Sequence, residues 1–288
     1  MGSADIIPGV SGGTVAFITG IYEHFIVALK SINFRFVYYG FLGLFKKKYK
    51  KEAIESLEQI DWQFLVPLAL GIFVAFLVFA NIVGFFLESF PTYTFAFFFG
   101  LILSSAILIG LLHRDIFSVI SVIFLIIGCL VGYYITGLQA MQVDHSYLII
   151  FLSGIVTFCA MILPGLSGAF ILLVLGQYEF MLDVLRGLTR LELWNLTYAF
   201  VYVLGGIVGL LLFSRMLSHL LSRHRKQTLC FILGLMIGAL RLPLGYIASD
   251  SENLSLIILS ACLGVAIVTM FGIFDRRRRK HMISESNM

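Results

Sequence analysis

The sequence predicts an all-α polytopic membrane protein made of two inverted-topology repeats, each a re-entrant helical hairpin plus three transmembrane helices. Three observations predict it: an apolar composition, a series of long apolar segments, and a helix-breaking string that occurs twice. Of the 288 residues, 60% are hydrophobic, 28 are Phe and only 12% are charged. Mean hydropathy is +1.00. A soluble domain is nearer half apolar and a quarter charged, so a water-facing surface cannot be built from this chain. Apolar segments run over Phe64–Leu87, Tyr93–Leu112, Phe117–Ile135, Tyr147–Leu163, Leu196–Leu221, Leu229–Leu244 and Leu254–Phe274. Most reach the roughly 20 residues that cross a bilayer. The net charge of +4 does not point to nucleic acid, because the basic residues cluster at segment ends, where they set topology. Cys129, Cys159, Cys230 and Cys262 all lie in apolar segments and are expected to be packing residues. No metal or cofactor pattern is present in the sequence.

The duplicated string orders the chain. "PGVSGG" at Pro8–Gly13 returns as "PGLSGA" at Pro164–Ala169, and seven of the 16 positions from Pro8 to Glu23 are identical to those from Pro164 to Glu179. The identities are the Pro-Gly, Ser-Gly, Gly20/Gly176, Tyr22/Tyr178 and Glu23/Glu179 pairs. Weaker similarity continues: Trp62 and Trp194 precede the next span, Gly71 and Gly205 lie early in it, and Phe98–Ala106 resembles Ile232–Leu240. The expected divisions are 1–135 (repeat one, with a basic cytoplasmic loop over 30–61), 136–275 (repeat two) and a basic cytoplasmic tail, 276–288.

Charge gives the orientation. Lys30–Lys51 carries seven Lys or Arg, and Arg276–Lys280 reads RRRRK; both are placed in the cytoplasm. Counting spans from each of them puts both ends of Tyr147–Leu185 outside, so this 39-residue segment, broken at its middle by Pro-Gly and Ser-Gly, crosses an even number of times. A re-entrant hairpin is expected, with two full spans as the alternative. The matching hairpin of repeat one enters from inside. Three further crossings per repeat make the repeats inverted, a recurring plan of secondary transporters. The aromatic and lysine-rich stretch Asn33–Lys51 is expected on the inner surface against anionic lipid.

Pro removes a backbone donor and Gly permits sharp bends. Broken helices at membrane depth are tolerable only inside protein or around a cavity. New half-helices are expected at about Thr14 and Ala169, and their N-termini, converging at mid-depth, suit an anion such as phosphate. Ser11, Thr14 and Ser167 add hydroxyl donors. The competing reading is structural: Ser11 and Ser167 cap their own helices, and Gly12, Gly13 and Gly168 permit close packing. Intramembrane ionisable groups are functional candidates by default. Glu23 and Glu179 are proposed to carry a coupling proton, or else to bond loops at the interface. Asp5 is a third proton candidate. Arg241 is the preferred fixed cation for the phosphate, against snorkelling as its alternative.

At these same residues, "ADIIPGVSGGTVAFITGIYE" (Ala4–Glu23) and its echo "AMILPGLSGAFILLVLGQYE" (Ala160–Glu179) resemble bacterial polyprenyl-phosphate transporters of the PopT type, formerly a domain of unknown function. The resemblance covers nearly the whole chain. It implies a non-enzymatic flippase in the bacterial cytoplasmic membrane that returns undecaprenyl phosphate from the outer to the cytoplasmic leaflet for peptidoglycan and other cell-wall synthesis. It carries a substrate role onto Pro8, Gly9, Ser11, Gly12, Gly13, Thr14, Pro164, Gly165, Ser167 and Gly168. Seven residues precede the first break and 17 largely apolar ones the second, whereas members of the family usually have a further N-terminal stretch. The alternative function is secondary transport of a small soluble anion. A phosphatase or transferase is disfavoured by the lack of HExxH, an acid cluster or a nucleophile–base pair.

Overall fold

The computed structural model describes residues 1–5, 11–32, 47–112, 114–140, 143–189, 193–248 and 253–286. Pro8, Gly9, the stretch 33–46 and Arg190 lie outside the described residues. Among the described residues the regular structure is entirely helical. The first half contains α1 (Gly2–Asp5), α2 (Gly12–Ile18), α3 (Tyr22–Ser31), α4 (Lys47–Glu58), α5 (Trp62–Ser89), α6 (Pro91–Leu112) and α7 (Val119–Ile135). The second contains α8 (Tyr147–Ile162), α9 (Gly168–Val174), α10 (Tyr178–Thr189), α11 (Leu193–Arg223), α12 (Arg225–Ala239), α13 (Arg241–Ala248) and α14 (Leu254–Ser286).

Among the described residues, three helical stretches are long and apolar enough to cross a bilayer: Pro91–Leu111, Asn195–Arg223 and Arg225–Ala248. Shorter apolar stretches at Trp62–Ala75, Val119–Ile135, Tyr147–Ile162 and Leu254–Met270 complete the seven apolar segments expected from the sequence. Large apolar side chains such as Phe73, Ile120, Leu148, Phe200 and Met270 are more than half exposed. Such a surface is stable in lipid and not in water, and the chain is a helical membrane protein. Two boundaries differ from expectation. The segment Leu229–Leu244 is interrupted at Leu240, the C-cap of α12. The last helix continues to Ser286 through the basic run assigned to a separate tail, because Arg and Lys are good helix formers.

Small residues let the main helices touch backbone to backbone. Gly128 of α7 lies against the Phe231 carbonyl of α12, and Gly234 of α12 lies against the Leu125 carbonyl of α7. The crossing of α6 with α14 has the same construction, with Gly100 on the Ala261 carbonyl and Gly264 on the Phe97 carbonyl. These positions correspond between the halves at offsets of 134 (Phe97 to Phe231, Gly100 to Gly234) and 136 (Leu125 to Ala261, Gly128 to Gly264). The helices α7 and α12 run parallel, since Gly128 meets Phe231 while Gly132, one turn later, meets Leu235 and Ala239. Each half therefore lends one helix to the other, and the two halves do not form separate domains. The main core lies between α2, α3, α6, α11 and α12, around Ala16, Ile26, Ile102, Leu217, Ile232 and Met236.

Candidate functional site

From Ser11 and from Ser167 onward, the two copies fold alike. Ser11 is the N-cap of α2, with extended backbone, and its Oγ accepts the Gly13 N–H. Ser167 is the N-cap of α9, with extended backbone, and its Oγ accepts the Phe170 N–H. Both half-helices have seven residues. They begin at Gly12 and Gly168 and so start one or two residues earlier than expected, because the serine side chain satisfies the first orphan donors. Both end on a glycine of positive φ, Gly20 at 74° and Gly176 at 67°. The next N–H then reaches back five residues, Ile21 to Ala16 and Gln177 to Leu172, each at 3.0 Å. This is a Schellman end, which explains why a Gly recurs at that place in both copies. Tyr22 and Tyr178 then open α3 and α10.

The folded chain brings the two breaks together. The fully buried Ser11 hydroxyl shares its proton between the carbonyls of Leu163 (3.2 Å) and Met161 (3.3 Å), at the end of α8. The Thr14 hydroxyl, also fully buried, accepts the Gly165 N–H at 2.9 Å. Carbonyls freed by the second break are thus met by the first, and an N–H freed by the second is met by Thr14. Each break answers the other's unpaired backbone, as burial demands. Gly165 has φ of +90° and faces the Met236 backbone; Gly13 packs on the Ile162 carbonyl. Gly168 packs on the Met161 and Thr157 side chains. Both readings of these glycines bear on the same contact: Gly13 and Gly165 are small because another backbone is adjacent, and Gly168 because the Met161 and Thr157 side chains are.

The remaining candidates sit as follows. The Asp5 carboxylate accepts the Gly12 N–H at 2.6 Å. An anion does sit at the N-terminus of α2, and it is the chain's own carboxylate. Pro164 precedes Gly165 in the buried turn between α8 and α9. Glu23, exposed in the first turn of α3, is paired with Arg225 at 2.8 Å. That pair joins α3 to the first residue of α12. Glu179 is exposed in the first turn of α10. Arg241 donates to the Tyr133 carbonyl at 2.9 Å and stacks over the Tyr133 ring at 4.3 Å. It is held at the end of α7, against Gly137. The structure therefore gathers Asp5, Ser11, Gly12, Gly13, Thr14, Pro164, Gly165, Ser167 and Gly168 around one contact, with Glu23, Glu179 and Arg241 held by other elements.

Sequence reasoning missed the residues that complete the contact. Met161, Leu163 and Met236 contribute backbone atoms, which leave no chemical signature in a side chain. It also missed Arg225 as the partner of Glu23, and the pair of His24 with Asp61 at 2.7 Å, which joins α3 to the start of α5.

With this geometry in place, the comparisons are specific. A polyprenyl-phosphate transporter of Vibrio cholerae serotype O1 is 36% identical over 242 residues, covering 83% of this chain and 73% of that protein. A polyprenyl-phosphate transporter of Staphylococcus aureus is 26% identical over 251 residues, covering 83% of this chain and 81% of that protein. No solved structure matches. The model of the VCA0040-like, undecaprenyl phosphate translocase-like family matches residues 1–256, and the chain belongs to that family.

Proposed function

We propose that the protein moves a polyprenyl phosphate between the leaflets of the bacterial cytoplasmic membrane, returning undecaprenyl phosphate to the cytoplasmic leaflet for cell-wall polymer synthesis. The observation that carries the reading is the buried contact between two helix breaks from opposite halves, in a chain whose relatives are named polyprenyl-phosphate transporters. Two breaks meeting inside the bundle are the usual construction of a mid-membrane ion or substrate site in transporters. The short α9 supports a re-entrant hairpin: seven residues span about 10 Å, far less than a bilayer. The parallel α7–α12 crossing supports an inverted pair of repeats, because α12 corresponds to α6, the helix that precedes α7 across a short turn.

On this reading the phosphate passes at the break contact. Its oxygens accept the Ser11 and Thr14 hydroxyls and the N–H groups of Gly12, Gly13, Gly165 and Gly168 as the protein's own bonds open. The Ser167 cap holds the second half-helix in place. Asp5 competes for the Gly12 N–H. When Asp5 gains a proton its hold on that N–H weakens, and a phosphate oxygen replaces it. Proton uptake at Asp5, Glu23 or Glu179 is thereby coupled to the head group, and Arg241 attracts the phosphate at the outer end of α12.

The test is reconstitution into liposomes with labelled undecaprenyl phosphate in one leaflet, scoring exchange by accessibility to an impermeant phosphatase. Protein-dependent exchange that excess inorganic phosphate does not inhibit is the expected result. Uptake of a soluble anion without lipid exchange would replace this reading with small-anion transport.

A further inference from the structure

Two apolar grooves open on the lipid-facing surface, of about 740 Å³ and about 570 Å³. Both lie within the roughly 300–1,000 Å³ of small-molecule sites. The larger lies between α7, α11 and α12; the smaller lies between α5, α6 and α14. They are the same groove twice. Tyr93, Thr94, Phe97 and Phe98 of α6 line the smaller one, and 134 positions on, Gln227, Thr228, Phe231 and Ile232 of α12 line the larger. Val83, Phe86 and Phe90 correspond at the same offset to Leu217, Leu220 and His224. Leu256, Ser260 and Leu263 of α14 correspond at 136 to Ile120, Phe124 and Ile127 of α7. Every residue lining the smaller groove has its counterpart in the larger, at the offsets that relate the two helix crossings.

The grooves open at opposite ends of the bundle. The mouth of the smaller is at Phe90, where α6 begins. The mouth of the larger is at His224 and Ile120, and α7 starts only seven residues after α6 ends. The two mouths are thus separated by the length of α6, whose 22 residues rise about 33 Å, close to the hydrocarbon thickness of about 30 Å. Both grooves face lipid sideways: Phe86 is 48% and Leu263 54% exposed in one, Met216 49% and Ile120 59% in the other. The larger groove also has Leu163 in its wall, and the Leu163 carbonyl accepts the Ser11 hydroxyl, so this groove reaches the break contact.

Charge identifies the occupant. Arg223 and Lys226, both exposed, flank His224 and Gln227 at the larger mouth. The corresponding stretch at the smaller mouth, Glu88–Thr94, has neither Lys nor Arg. The larger groove, an apolar trough with cations at its mouth, matches an anionic head on a long hydrocarbon tail, and the smaller groove repeats its lining position for position. We infer that the two grooves are polyprenyl-chain sites, one opening to each leaflet, which hold the tail of the same lipid before and after its phosphate passes the break contact. The inference rests on the proposed transport of a polyprenyl phosphate.

The test places a photo-crosslinking residue at Met216, at Leu263, or at Leu212, which is 61% exposed and outside both grooves. The full-length protein is reconstituted with radiolabelled undecaprenyl phosphate. Labelling at Met216 and Leu263 but not Leu212, competed by unlabelled lipid and not by inorganic phosphate, is expected. In parallel, Met216→Trp and Ser260→Trp fill one groove each and are expected to slow leaflet exchange about ten-fold, the scale of overpacking a fitted site. Labelling at Leu212 equal to that at the groove positions, labelling in one groove only, or wild-type exchange in both Trp variants overturns the groove assignment and leaves transport standing. Absence of exchange by the wild-type protein overturns both.

Discussion

Replacing Thr14 by Val tests whether the two breaks support one another. Val keeps the shape and removes the hydroxyl that accepts the Gly165 N–H at 2.9 Å. The N–H has nowhere else to turn. Thr14 is fully buried, and Gly165 is fixed at a φ of +90° against the Met236 backbone. A buried donor stranded in this way costs about 1–3 kcal/mol. At about 2–4 °C per kcal/mol for large domains, Tm should fall by about 4–8 °C for a cost near 2 kcal/mol. The assay is thermal unfolding of the purified protein in lipid nanodiscs, with Thr14→Ser as the control. Ser keeps the oxygen and should stay within about 1 kcal/mol of the wild type, the scale of one lost methyl group. If Thr14→Val melts with the wild type while Thr14→Ser melts lower, the methyl group and not the hydroxyl matters, and the mutual satisfaction of the breaks is refuted.

Gly71 and Gly205 occupy corresponding places, yet a Cβ at Gly71 meets nothing and one at Gly205 meets the Phe151 backbone. Gly71→Ala should be neutral or stabilise by up to about 1 kcal/mol, and Gly205→Ala should destabilise by about 1–3 kcal/mol, both read as Tm in nanodiscs. Glu23→Gln removes the pair with Arg225, whose side chains are 49% and 48% exposed; a pair so exposed is worth at most about 1 kcal/mol, so Tm should hold within about 4 °C. Cysteines introduced at Ser146 and Thr189, in a background lacking the native four, should react with an impermeant thiol reagent from outside, and one at the exposed Glu55 should not. Labelling of Thr189→Cys only from the cytoplasm would remove the even number of crossings between Ser146 and Thr189.

The breaks were legible because Pro-Gly and Ser-Gly act locally. A missing donor, a permissive φ and a capping hydroxyl are properties of the string itself, and they placed the ends of α8 and the starts of α2 and α9 to within two residues. The apolar segments were legible for the same reason, one to each apolar helical stretch. What each break touches was not legible. Thr14 and Gly165 are 151 positions apart, and their meeting depends on how α2 packs against α8. The asymmetry between Gly71 and Gly205 was invisible because equal residues face different neighbours. Leu240 interrupts its segment between Gly238 and Pro243, so the start of α13 had a local signal, which the largely apolar run of side chains hid. The grooves required both the repeat offsets and the packing of three helices, and neither alone marks a cavity.

On the proposed function, the energetics of the break contact set what coupling must supply. Each neutral bond across it contributes about 1 kcal/mol net, and the Asp5 bond to Gly12 about 1.5–3 kcal/mol as a bond to a charge. A phosphate offers the same donors charge-assisted bonds about twice as strong as the neutral ones, but it takes the Ser11 proton from the Met161 and Leu163 carbonyls, at about 1–3 kcal/mol for an acceptor left unpaired. The gain and the cost oppose one another, which keeps the head group from a deep well at the contact. The unbalanced part is charge. Moving one negative charge inward against 100 mV, inside negative, costs about 2.3 kcal/mol, which a co-transported proton cancels. Asp5→Asn keeps an acceptor for the Gly12 N–H and removes the proton site. It should retain lipid binding and lose the acceleration that an inward proton gradient gives to exchange. Glu179→Gln is expected to show the same loss, with Tm unchanged because Glu179 is exposed. Gradient-accelerated exchange at the wild-type rate in the Asp5→Asn/Glu23→Gln/Glu179→Gln triple variant would remove all three from coupling and leave the lipid gradient as the driving force.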